Sequence, residues 1–107
     1  MSLHDRPLPI RVVDSATREI DAAALWWRAN RRAAPGAVHG EIARAFDLLS
    51  HHPFIGARAG DQQRLPGIRR FHLRRIHHFI YYHVLSDPPA IEVLAFWHTS
   101  RGVGPAL

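Results

Sequence analysis

Apolar residues in this chain recur at two different spacings, and the change between them divides it. Between Ala16 and about Ala33, Ala16, Ile20, Ala23, Ala24 and Trp27 return every three or four residues. That makes one stripe and predicts an amphipathic helix. Arg18, Asp21, Arg28 and Arg31 fall mainly off it. Asp14-Ser15 supplies N-cap candidates, and Glu19 suits the first turn. Pro35-Gly36 breaks the pattern. A second stripe, Val38, Ile42, Ala45, Phe46 and Leu49, predicts a helix from about Pro35 or Ala37 to Ser50. So short a break implies an antiparallel hairpin, and Trp27 is assigned to its packing.

After His51-His52-Pro53 the spacing changes. Phe54-Ile55-Gly56 is expected to tuck an apolar segment under the sheet edge, and 57–68 (ARAGDQQRLPGI) reads as a polar loop. Phe71 to Val84 (FHLRRIHHFIYYHV) is a strand, bent or paired with itself, and Ala90 to His98 (AIEVLAFWH) is another, with LSDPP as the turn between. In the last strand Ile91, Val93, Ala95 and Trp97 fall on one face, and Glu92, Leu94, Phe96 and His98 on the other. Apolar residues on both faces make it central. Ile10, Val12 and Val13 add a short first strand. The order strand, helix, helix, strand, strand, strand predicts an α+β fold: an N-terminal helix hairpin packed on a small, mainly antiparallel sheet of three to four strands, one domain over 1–107.

Composition narrows the function classes. A length of 107 residues with 47% hydrophobic content supports one core and excludes general disorder. The absence of cysteine removes disulfides and thiolate chemistry. No apolar run approaches a membrane span, and the start does not read as a signal peptide, so a cytoplasmic location is expected. The formal net charge is +5, and all 14 cationic side chains are arginine. Arginine keeps its charge and grips carboxylates and phosphates through two parallel hydrogen bonds, so an acidic partner is expected.

The nine histidines do not have metal-ligand spacing. Adjacent His77 and His78 in a strand point to opposite faces, and His51-His52 is read as having no carboxylate or cysteine at ligand spacing. No serine sits in a nucleophile elbow, and no glycine motif cradles phosphate. No metal or cofactor is expected. What remains is a basic and aromatic set on or beside the strands: Arg69, Arg70, His72, Arg74, Arg75, His77, His78, His98 and Arg101, with Tyr81 and Tyr82 on opposite faces. Such a set suits partner binding or, with His or Tyr as acid or base and Arg on the phosphate, RNA cleavage.

The order of motifs resembles the RelE/ParE superfamily of bacterial toxin–antitoxin toxins over nearly the whole chain. The pieces are Phe46 to Gly56 (FDLLSHHPFIG), Gly67-Ile68-Arg69-Arg70-Phe71, Phe79 to Val84 (FIYYHV), Ile91-Glu92-Val93-Leu94, and a basic tail after His98. The resemblance implies one of two activities: ribosome-dependent mRNA cleavage (RelE-like) or poisoning of DNA gyrase (ParE-like). Where the ribonucleases carry Arg ahead of the middle-strand Tyr, Phe79 stands here. No Tyr follows Arg101 in the tail. The resemblance therefore implies the ParE-like branch: a gyrase inhibitor rather than an enzyme, neutralised by an acidic, partly disordered antitoxin segment. Arg69, Arg70, Arg74, Tyr82, His98 and Arg101 are the expected partner contacts. His78, His98 and Arg101 are the catalytic set if the chain is RelE-like, and nucleic acid is a partner only on that branch.

Overall fold

The structure, a computed structural model, describes residues 6–59 and 65–107. Strand β1 (Ile10–Val12) leads into helix α1 (Asp14–Asn30), which a short break separates from helix α2 (Ala37–His51). Strands β2 (Ala57–Arg58), β3 (Arg69–Leu73), β4 (His78–Ser86) and β5 (Pro89–His98) follow, with one 3-10 turn, Arg74–Ile76, between β3 and β4. They form one five-stranded sheet in the order β1-β5-β4-β3-β2. Every neighbouring pair is antiparallel except β1 with β5.

The expected three to four strands become five because β2 is two exposed residues inside the segment read as a loop. Nothing in its pattern marks it. Phe71–Val84 is indeed two paired strands, split by the 3-10 turn and by His77, whose φ of 56° is left-handed. That conformation is costly for a residue with a Cβ, and it turns β3 back into β4.

Both helices lie on one face of the sheet. Ala16, Ile20 and Ala24 of α1 and Val38, Ile42, Ala45 and Leu49 of α2 are buried against Leu73, Ile76, Ile80, Tyr82, Ile91, Val93 and Phe96. The small alanines let α1 settle close to β5. Asp14 and Ser15 lie inside α1 rather than at its N-cap, which is Val13 with no side-chain cap. Helix α1 stops short of Ala33. The Asn30 amide donates to Trp26 O at 2.8 Å, and the Arg31 N–H bonds Trp27 O, so the last turn closes on itself.

The strict alternation expected in β5 fails at one place. Tyr81 pairs with Ala95 while Tyr82 pairs with Val93, leaving Leu94 as an extra residue in a β-bulge. Ile91 and Val93 face the helices before it, and Phe96 after it. Leu94, Ala95 and Trp97 all belong to the opposite face. The bulge therefore moves Ala95 and Trp97 off the face expected for them and puts Phe96 under the helices. Beyond the end of β1, the Phe96 N–H donates at 3.0 Å to the Glu19 carboxylate. That carboxylate takes the place of a strand carbonyl and ties α1 to the sheet.

Candidate partner-binding surfaces

The residues nominated from sequence do not form one site. Two of them are internal struts. Tyr82 is fully buried, so it has no surface to offer a partner, contrary to the expectation that it is a contact. Its hydroxyl oxygen accepts the Gly56 N–H at 2.9 Å. A Cβ at Gly56 would stand 2.6 Å from that oxygen and 2.9 Å from Arg70 O, so the close approach requires glycine. Burial raises the Tyr82 pKa, opposed by the Gly56 N–H and by Arg69. Arg69 itself donates to Gly56 O (2.8 Å) and Phe54 O (3.1 Å) and lies 5.3 Å over the Phe54 ring. It clamps the turn after α2. Phe54 and Ile55 are 62% and 50% exposed, so the segment runs over the surface instead of tucking under the sheet.

The sheet face away from the helices carries a second cluster. Ile68, Tyr81 and Ala95 are buried there, with Phe79, Leu94, Trp97 and Leu107 around them. Phe79 and Trp97 are cross-strand partners. Arg70 lies 4.4 Å over Phe79, and Arg101 lies 3.9 Å over Trp97. The His72 ring packs on Phe79 from the other side of the row at 4.8 Å. Two guanidinium groups thus lie over adjacent rings, and both arginines stay exposed to solvent. The tail folds back beside them: the Trp97 indole N–H donates to Val103 O, Pro105 is buried, and Leu107 reaches the cluster.

His78 and His98 sit on the helix-side face at the end of the sheet, 5.0 Å apart, with His78 stacked on Phe96. Together with Ala23, Trp26, Trp27, Ile76 and Ser100 they line a cavity of about 340 Å³. His78 Nδ1 lies 2.7 Å from Ile76 O, and a carbonyl only accepts, so this nitrogen carries the proton and Nε2 is bare. His98 Nδ1 receives the Ser100 N–H, so the neutral ring carries its proton on Nε2. Burial lowers the His78 pKa; the bond to Ile76 opposes this, and His98, His77 and Arg101 add to the lowering. Trp27 is half-buried against the core, and its buried indole N–H has no partner among the described residues.

Arg74 stands apart again, in a groove between α2 and β3 with Arg44 and Arg75. Sequence reasoning did not single out Arg44 as part of a surface. The signal was present, since Arg44 sits three residues after Glu41 on the exposed side of α2. Among the described residues no group of three His, Cys, Asp or Glu is placed to hold a metal ion, and no helix is long and apolar enough to cross a membrane.

A helix hairpin on one face of a mainly antiparallel sheet, with a basic and aromatic opposite face, defines the class: a small α+β domain. The family model described as the ParE toxin of the type II toxin–antitoxin system parDE matches residues 10–103. The chain belongs to the ParE toxin family. Its fold is similar to that of a solved structure titled "Chromosomal ParDE TA system from P. aeruginosa", with a TM-score of 0.68 and 20% identity over 91% of this chain and 99% of that one. No curated protein matches it by sequence.

Proposed function

We propose that this toxin inhibits DNA gyrase in the cytoplasm and is held inactive by a cognate antitoxin with an acidic segment. Family membership supports the system. The observation that carries the choice of branch is the separation of the three ribonuclease candidates. Arg101 lies on Trp97, on the outer face, while His78 and His98 lie on the helix side. Arg101 is near enough for its charge to be felt at His78, but its guanidinium is directed onto Trp97 and not toward the histidine pair, which weakens the case for a phosphate held between the three. The stacked Arg70 and Arg101 form a surface suited to a carboxylate-bearing protein partner.

A second reading, RNA cleavage, draws on the two histidines. Their opposite tautomers present one bare nitrogen and one N–H, the complement a general base and a general acid need. Purified toxin assayed for gyrase supercoiling, and in parallel for mRNA cleavage on translating ribosomes, separates the readings. Loss of supercoiling with intact mRNA is expected. Cleaved mRNA with fully active gyrase would reverse the order.

A further inference from the structure

The outer edge of β3 is left open just where the basic groove begins. The Ala59 N–H bonds Ile68 O at 3.0 Å, which fixes the alternation along this antiparallel ladder. Ala57 opposite Arg70 is then a hydrogen-bonded pair, and the backbone groups of His72, two residues on, point to the same outer side. Ile55 would stand opposite His72, but the chain has turned away, and the Ile55 N–H is bonded to His52 O. Among the described residues nothing takes the outward N–H and C=O of His72.

Beside this gap lies a groove of about 320 Å³ floored by Ala45, Leu48, Phe71 and Leu73. Leu48 is exposed. Among the described residues Arg44, Arg74 and Arg75 rim it against a single carboxylate, Glu41, which holds Arg44 at 2.9 Å and Arg75 at 3.4 Å. Arg74 has no ionic partner among the described residues. The rim therefore keeps an excess of positive charge.

We infer that an extended acidic segment of the antitoxin pairs with β3 at His72. Its inward apolar side chains would rest on Leu48 and Phe71, and its carboxylates would meet Arg74 and Arg75. This rests on the toxin–antitoxin reading and adds where the inhibitor binds. A free strand edge is a template for an added strand, main-chain bonds giving affinity and side-chain pockets specificity. Nucleic acid fits less well: it has no use for a paired N–H and C=O, and Glu41 in the groove repels phosphate.

The test uses full-length toxin and the protein encoded beside its gene as the probe, with affinity measured by calorimetry. Arg74→Glu combined with Arg75→Glu is expected to weaken binding about tenfold or more. Arg74→Lys with Arg75→Lys is expected to retain most of it, and an unchanged melting midpoint in the charge-reversed variant excludes misfolding as the cause. In the complex the His72 amide is expected to exchange with solvent at least about tenfold more slowly than in free toxin, as a bonded strand amide does. Binding that the charge reversal leaves unchanged, or an unprotected His72 amide in a tight complex, overturns the placement alone. Failure of wild-type toxin to bind overturns the antitoxin reading, and the placement with it.

Discussion

The two faces of the sheet use aromatic and aliphatic residues for opposite ends. Under the helices, Leu49, Val38, Ile80, Ile91 and Val93 have almost no exposure, and Tyr82 and Glu19 bring polar atoms to this layer in hydrogen bonds. On the other face the rings of Phe79 and Trp97 stay half-exposed and are capped by arginine. One layer gains stability by excluding water. The other holds charge at the surface on a rigid aromatic base. Substitutions in the first should therefore unfold the toxin, and substitutions in the second should disarm it.

The largest effect is expected from Leu49→Ala. The side chain is fully buried between α2 and the sheet, and truncation of such a leucine costs roughly 2–5 kcal/mol through lost transfer energy and the cavity left behind. Urea unfolding should show the midpoint fall with the slope kept. A change below about 1 kcal/mol would mean that the helices do not close over the sheet as described. Tyr82→Phe comes next. It leaves the Gly56 N–H buried without an acceptor, at a cost of about 1–3 kcal/mol. Toxicity should fall only in step with the folded fraction. Toxicity lost at full stability would return Tyr82 to the partner surface.

The comparison also explains what could be read from the sequence. Periodicity located both helices and the long strands because each buries one continuous stripe, and Ala16, Ile20, Ala24 or Ile42, Ala45, Leu49 write that stripe directly. It failed where the backbone departs from a regular period. The bulge at Leu94 exchanges the faces of Ala95 and Phe96, and alternation has no sign of an inserted residue until a partner strand is known. Strand β2 is too short to carry a period at all. The site was legible as a set of residue types but not as a place. Arg69, Arg70 and Arg74 are near in sequence, yet the first clamps a turn, the second lies on Phe79 and the third rims a groove. Only pairing with neighbouring strands decides which way each one points.

A smaller effect concerns pH. His78 has its folded pKa lowered from 6.5, first by burial, with the bond to Ile76 opposing it, and His72 is lowered in the same direction by burial and by Arg74, His77 and Arg70. Between the lowered value and 6.5 the unfolded chain binds a proton that the folded chain does not. The stability these groups contribute is therefore whole above pH 6.5 and is lost as pH falls below it. Thermal midpoints measured from pH of about 7.5 down to about 5 should decline. His78→Asn keeps a donor for Ile76 O while removing the titration, so its decline should be shallower. Parallel slopes in the two proteins would place the titration elsewhere.

The smallest change in stability is expected where the change in action is greatest. Arg70→Ala and Arg101→Ala each remove an exposed cation from an aromatic ring, an interaction worth about 0.5–1 kcal/mol at such sites. Melting midpoints should hardly move, because the rings beneath remain packed on Tyr81 and Ala95. Arg101→Lys separates charge from shape: the ammonium keeps the charge but loses the planar, two-bonded grip on a carboxylate. If the outer face engages the target, growth inhibition on induction should fall in the order wild type, Arg101→Lys, Arg101→Ala, with Arg70→Ala alongside the last. Full toxicity in the double alanine variant, at unchanged stability, would move the working surface to the helix side, where the His78 and His98 cavity then becomes the place to cut next.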